Sequence, residues 1–214
     1  MVQRMKQTTV LAFALTLVTA CGADTLRPDD AGADAPDAPD ANGFVDPRDQ
    51  QRYPVLQLGG NSWLARNLNY AIAAASFCYG DDPANCDTHG RLYLWSAAQT
   101  ACPPGSHLGS DEEWKALEAA VGMPVDQLDV DGYDKPRGTS EGTALKAEPG
   151  FGASMAGFRS GKTYEALGDR TYFWTSTTRG TDVWRRKIAA ATPNVFRFTN
   201  PPASFAISVR CVVD

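Results

Sequence analysis

Four cysteines constrain this chain more than any other feature of it. Cys78, Cys86, Cys102 and Cys211 follow a fifth, Cys21, and an even set in an oxidising compartment reads as two disulfides. Three pairings are possible. The favoured set joins Cys78 to Cys86 across a short polar loop and Cys102 to Cys211, tying the chain terminus to the domain's middle. Chain-entropy arguments give about 2.6 kcal/mol for a loop of about nine residues and about 4.8 kcal/mol for one of about 110, if the native geometry is unstrained. No C-x₂₋₄-C pair exists, so zinc is not the expected use of these thiols.

The oxidising compartment is inferred from the first twenty residues. They hold Arg4 and Lys6, no acidic residue, and an apolar run from Val10 to Ala20, the pattern of a secretory signal. The run is too short for a bilayer core that needs about 20 apolar residues. Val18-Thr19-Ala20-Cys21 resembles the lipobox of bacterial lipoproteins, which makes Cys21 the expected lipidation site and the membrane, through that lipid, an expected partner. Gly22 at the next position resembles the sorting signal for the outer membrane in enterobacteria. The expected location is therefore the cell envelope, lipid-anchored in the outer membrane.

Residues 21–52 read as a lipidated cysteine and a disordered tether of Asp, Ala, Pro and Gly. Too little apolar surface is available there to offset the entropy of ordering. Loss of residues 1–20 removes two of the 20 basic residues and none of the 25 acidic ones, leaving a net charge of −7. Such a chain is not expected to bind nucleic acid, which needs clustered Lys and Arg. Residues 53–214 are long enough for one domain with its own core.

Within that domain, Ser110 and Glu113 have the spacing of a capping box, Asp111 and Glu112 suit a helix N-terminus, and Gly122 with Pro124 ends the run. A helix over 110–122 with Trp114, Leu117 and Val121 on its buried face is predicted, and a second over 92–101. Strands are predicted over 55–58, 62–65, 172–176, 184–188, 195–198 and 206–212. Central helices flanked by strands indicate an α+β domain.

The blocks NSWLARNLNY (61–70), FCYGDDPANCDTHGRLYLWSAAQTACPPGSHLGSDEEW (77–114), GTSEGTALKAEPGFG (138–152), YFWTSTT (172–178) and SVRCVVD (208–214) occur in the order found in the Fibrobacter succinogenes major paralogous domain. By these blocks the domain resembles that family across essentially its whole length. The family usually has Trp where Ser106 stands and Pro where Gly109 stands, so a looser, less apolar turn is expected there. The resemblance extends to formylglycine-generating enzymes and the C-type-lectin-like fold, which implies a single domain with two helices, a small mostly antiparallel sheet joining both chain ends, and a ligand site in long loops. Cys102 with Cys211 resembles that fold's helix-to-terminal-strand bridge.

No serine-hydrolase elbow, H-E-x-x-H or P-loop is present. His107 is expected to be a hydrogen-bonded structural group and His89 to face solvent. The oxygen-rich segments 126–134 and 81–87 lack EF-hand spacing, so no metal or cofactor is expected. Arg159, Tyr164, Trp184 and Arg186, with Arg185 and Lys187, mix aromatic faces with cations and are the candidate ligand-binding residues, suited to stacking on sugars or pairing with carboxylates. The expected function is a non-catalytic, surface-anchored binding or adhesion module whose ligand is a glycan or an envelope or surface protein. A structural envelope protein and an exported enzyme related to formylglycine-generating enzymes are the competing readings.

Overall fold

The computed structural model describes residues 43–214; the expected signal, the lipidation site Cys21 and most of the expected tether lie outside the described residues. In chain order the elements are β1 (Phe44–Val45), β2 (Arg52–Tyr53), β3 (Val55–Leu58), β4 (Asn61–Leu64), β5 (Ser76–Phe77), α1 (Pro83–His89), β6 (Leu92–Leu94), α2 (Trp95–Ala101), β7 (Ser106–Leu108) and α3 (Asp111–Ala120). They continue as α4 (Glu141–Lys146), β8 (Ala156–Ser160), β9 (Thr163–Leu167), β10 (Arg170–Arg179), β11 (Asp182–Ala189), β12 (Val195–Asn200), β13 (Phe205–Ile207) and β14 (Cys211–Val213). The α+β class holds. No helix among the described residues is long and apolar enough to cross a membrane.

The strands form a two-stranded ribbon, a four-stranded sheet β3-β4-β14-β7 and an eight-stranded sheet β12-β11-β10-β8-β13-β6-β5 with β9 hairpinned onto β8. The sheet is thus larger than expected, and four α-helices stand among the described residues where two were predicted. Strand β14, near the C-terminus, lies between β4 and β7, and so brings both ends of the folded region into one antiparallel sheet.

The folded region also begins earlier than residue 53. Phe44 and Val45 pair with Tyr53 and Arg52, and Asp46 is fully buried, accepting hydrogen bonds from the Arg48 backbone and side chain. Arg48 also donates to the Ala101 carbonyl at 2.8 Å and lies 3.8 Å from the Tyr70 ring centre. An acidic residue inside a polar stretch is therefore ordered by its neighbouring cation.

Two predicted elements are divided. Residues 92–94 are strand, not helix, because Tyr93 pairs with Ser76 on one side and Ile207 on the other; the helix begins only at Trp95. Residues 206–212 are two strands in different sheets, separated by Ser208 and Arg210, whose side chains turn inward. Arg210 is wholly buried and donates to Asn67 Oδ1 and to the carbonyls of Leu64, Phe151 and Gly152, so it bolts three loops together.

The predicted helix at 110 forms as α3 with its capping box complete: Ser110 Oγ accepts from the Glu113 amide and Glu113 Oε2 accepts from the Ser110 amide at 2.7 Å. The turn before it is not loose. The Gly109 amide donates to Arg210 O and its carbonyl accepts from Ser176, while a Cβ at Gly109 would fall 2.8 Å from the Trp63 ring. Glycine here makes room for Trp63 to pack edge-on against Trp114, ring centres 5.3 Å apart. Both favoured disulfides, Cys78–Cys86 and Cys102–Cys211, are formed.

Candidate functional site

Successive strand residues point to opposite faces, so the run Val183-Trp184-Arg185-Arg186-Lys187-Ile188 on β11 divides by parity. Its neighbours β10 and β12 cover both edges, and register fixes the partners: Trp174 and Phe198 lie opposite Arg185, whereas Phe173 and Arg197 lie opposite Arg186.

On one face, Arg186 is 0 % exposed beneath α3. Its Nη1 donates to Asp111 Oδ1 and its Nε to Glu118 Oε1, both at 2.6 Å. Arg197 forks onto Asp111, and Arg137 onto Glu118. Burial alone would raise the Asp111 carboxyl, but the hydrogen bond from Arg197 and the charge of Arg186 outweigh it and hold the group below its ordinary value. Trp184, 8 % exposed, stacks with Arg197 at 3.5 Å and Arg179 at 4.8 Å from its ring centre. The ionised side chains of this cluster are structural and paired with one another, although Arg137 Nε is buried without an acceptor among the described residues. Arg186 and Trp184 therefore do not form an exposed ligand face.

On the opposite face, Arg185 lies at the floor of a hollow of about 270 Å³ lined also by Tyr133, Phe158, Tyr172, Phe198, Asn200, Phe205 and Ile207. The rings meet edge to face: Tyr133 with Phe198 at 5.0 Å and Phe158 with Tyr172 at 5.3 Å. Tyr133, 43 % exposed, forms the rim, and its hydroxyl shares a 2.9 Å hydrogen bond with that of Tyr172. Burial, then the Tyr133 hydroxyl, push Tyr172 well above the ordinary phenol range. Lys187, on the same face, donates to the Tyr133 carbonyl at 2.7 Å and steadies the segment that carries the rim.

Arg159 and Tyr164 pair across the β8–β9 hairpin, away from this hollow. Arg159 stacks 3.9 Å from the Phe77 ring centre, and Tyr164 donates to Asp81 beside the first disulfide. The four expected binding residues thus fall in two separate places, and the concave aromatic surface is built by others. Of the wider cluster, Arg185 alone lines it. Tyr133, Phe158 and Phe205 escaped notice because they come from separate strands and a loop.

The remaining polar candidates have assigned partners. His107 bridges Asp214 at 2.6 Å and Glu113 at 2.8 Å, as a structural group should. His89 does not face open solvent: it is half-buried against the Ser154 hydroxyl in a polar cleft of about 310 Å³, and burial lowers its pKa. In the oxygen-rich segments, Asp129 pairs with Lys115, Asp131 with Arg179, and Asp82 caps α1. Among the described residues no group of three or more His, Cys, Asp or Glu side chains is placed to hold a metal.

The chain matches no curated protein and no solved structure. A family model, that of the Fibrobacter succinogenes major domain, matches residues 56–213, from within β3 to the end of β14, and the chain belongs to that family.

Proposed function

We propose that the protein is a non-catalytic binding or adhesion module, lipid-anchored through Cys21 in the outer membrane of a bacterial envelope, and that the aromatic hollow is its glycan-binding site. The observation that carries the reading is the hollow itself: five aromatic side chains, partly open to solvent, gathered over a buried cation on the face of a sheet. Aromatic faces stack on the C–H faces of sugar rings, and convergent rings with a few polar groups are the usual lining of a small-ligand site. All four cysteines of the domain are in disulfides, which leaves an oxidase chemistry of the formylglycine-generating type without a free thiol among the described residues. We assign the domain to the C-type-lectin-like fold. Support comes from the bridge between the C-cap of α2 and β14, and from the sheet shared by β3, β4 and the terminal strand.

The test is a glycan array probed with the lipidated full-length protein and with Tyr133→Ala and Phe205→Ala, two substitutions at the accessible rim. Binding by the parent and at least tenfold weaker binding by both variants is expected. Absence of any glycan ligand from the disulfide-intact protein, or binding indifferent to both substitutions, would overturn the site. Co-purification with one stable envelope component would then favour the structural role. Mass spectrometry of the mature N-terminus checks the anchor: an unmodified Cys21 refutes it.

A further inference from the structure

We infer that the sugar bound in the aromatic hollow carries a carboxylate, and that Arg185 is the residue that selects it; this rests on the glycan-binding reading above. Among the described residues, every other guanidinium buried as deeply has its charge or its donors answered within the protein. Arg186 and Arg197 meet Asp111, Arg137 meets Glu118, and Arg210 donates from all three nitrogens. Arg185 is the exception. It is 3 % exposed and makes no ion pair within 4.0 Å among the described residues; the charge of Asp182 acts on it only from beyond that distance. Only Nη2 is engaged, with the Pro201 carbonyl at 2.6 Å and the Asn200 carbonyl at 3.4 Å. Nε is buried without an acceptor, and Nη1 has none among the described residues.

The surroundings define the missing partner. The guanidinium lies 4.3 Å from the Trp174 ring centre and 5.3 Å from that of Phe205, contacts that stabilise a cation but offer no acceptor. Burial pushes Arg185 down to about 10, so it is still a cation at neutral pH. A desolvated cation without an anion in hydrogen-bond contact is costly, and an anionic ligand group in the hollow would relieve that cost while being held by charge-assisted hydrogen bonds. A single guanidinium matches a monoanion. Lys187, the other cation on this face, is engaged with the Tyr133 carbonyl and lies 3.8 Å from Asp134. The volume of about 270 Å³ suits one ring, and the phenol hydroxyls and the Asn200 amide intersperse polar groups among the aromatic faces, as the hydroxyls of a pyranose require.

Calorimetry on the full-length protein in detergent would compare methyl glycosides of glucuronic, galacturonic and mannuronic acid with their neutral hexose counterparts. At least one acidic sugar is expected to bind about tenfold or more tightly than its neutral partner. The preference should fall below about twofold in Arg185→Gln, through loss of acidic-sugar affinity, and partly persist in Arg185→Lys. Because the wild-type comparison needs no variant, misfolding of Arg185→Gln leaves the inference exposed to refutation. Equal binding of acidic and neutral sugars, or an acid preference that survives Arg185→Gln, overturns it while leaving the glycan site standing. No binding of any sugar overturns both. Equally tight binding of N-acetyl-aspartate amide would identify an acidic peptide instead of a sugar and also overturn it.

Discussion

Replacing Glu118 by Gln puts the buried ion cluster under α3 to a direct test. Glu118 is wholly buried, its Oε1 accepts from Arg186 Nε at 2.6 Å and Arg137 Nη2 at 2.9 Å, and its Oε2 accepts from Arg137 Nη1 at 3.0 Å. With Asp111 it forms two carboxylates against the three guanidinium groups of Arg137, Arg186 and Arg197. Glutamine keeps the shape but removes a charge and turns an N–H₂ group toward donors. Breaking a buried pair in this way costs about 3–5 kcal/mol, because the cations left behind stay desolvated. For a domain of about 150–250 residues each kcal/mol moves Tm by about 2–4 °C, so a fall of roughly 6–20 °C is expected. Urea unfolding and calorimetry with the disulfides intact measure it. Adding Arg137→Met to the variant should recover part of the loss, a coupling of about 1 kcal/mol or more. A cost below about 1 kcal/mol for Glu118→Gln, or strict additivity of the two changes, refutes the reasoning.

Three further outcomes follow from the geometry. Removing the Cys102–Cys211 bridge as a double alanine variant should cost about 4–5 kcal/mol and removing Cys78–Cys86 about 2–3 kcal/mol; chemical denaturation showing the reverse order would refute the loop-entropy reasoning. For His107, burial lowers the pKa but the hydrogen bonds to Asp214 and Glu113 outweigh it and raise the group overall. Its pairing therefore contributes stability that is full below its ordinary value of about 6.5 and lost as pH rises through the higher folded value. Unfolding midpoints between pH 5 and 9 should converge for wild type and His107→Gln as pH rises, and a constant gap would count against the bridge. Gly109→Ala drives a Cβ to 2.8 Å from the Trp63 ring and should cost about 1–3 kcal/mol in denaturant melts; a neutral result would mean that Trp63 and Trp114 can shift apart.

How far the sequence could be read depended on whether a signal was local. The capping box at Ser110 and Glu113 acts within one turn of helix, and α3 begins where it says. The strands of β10, β11 and β12 announce themselves by β-branched and aromatic residues, although their ends extend further. Leu92–Leu94 has the same apolar spacing as a helix start, and only the pairing with β5 and β13, far apart in sequence, makes it a strand. Short elements such as β1, α1 and α4 have too few residues for a period to emerge, and are held by Asp46, by the Asp82 cap and by the buried Glu141.

The site was obscured by a different effect, the alternation of a strand buried on both faces. A run such as Trp184-Arg185-Arg186-Lys187 reads as one cationic, aromatic patch when the residues are merely neighbours in sequence. On β11 the strand parity sends Trp184 and Arg186 to the face that Arg186 shares with α3, and Arg185 and Lys187 to the face that holds the hollow, which Arg185 alone of them lines. The helix held the corrective signal. Asp111, Trp114 and Glu118 stand at i, i+3 and i+7, so both carboxylates share the buried stripe with the tryptophan rather than facing solvent. Two acids on a core-facing helix stripe require buried cations, and a doubly covered strand with adjacent arginines can supply only every other one to them. The arginine of opposite parity is then left without a hydrogen-bonded acid among the described residues, and in this fold that residue is Arg185.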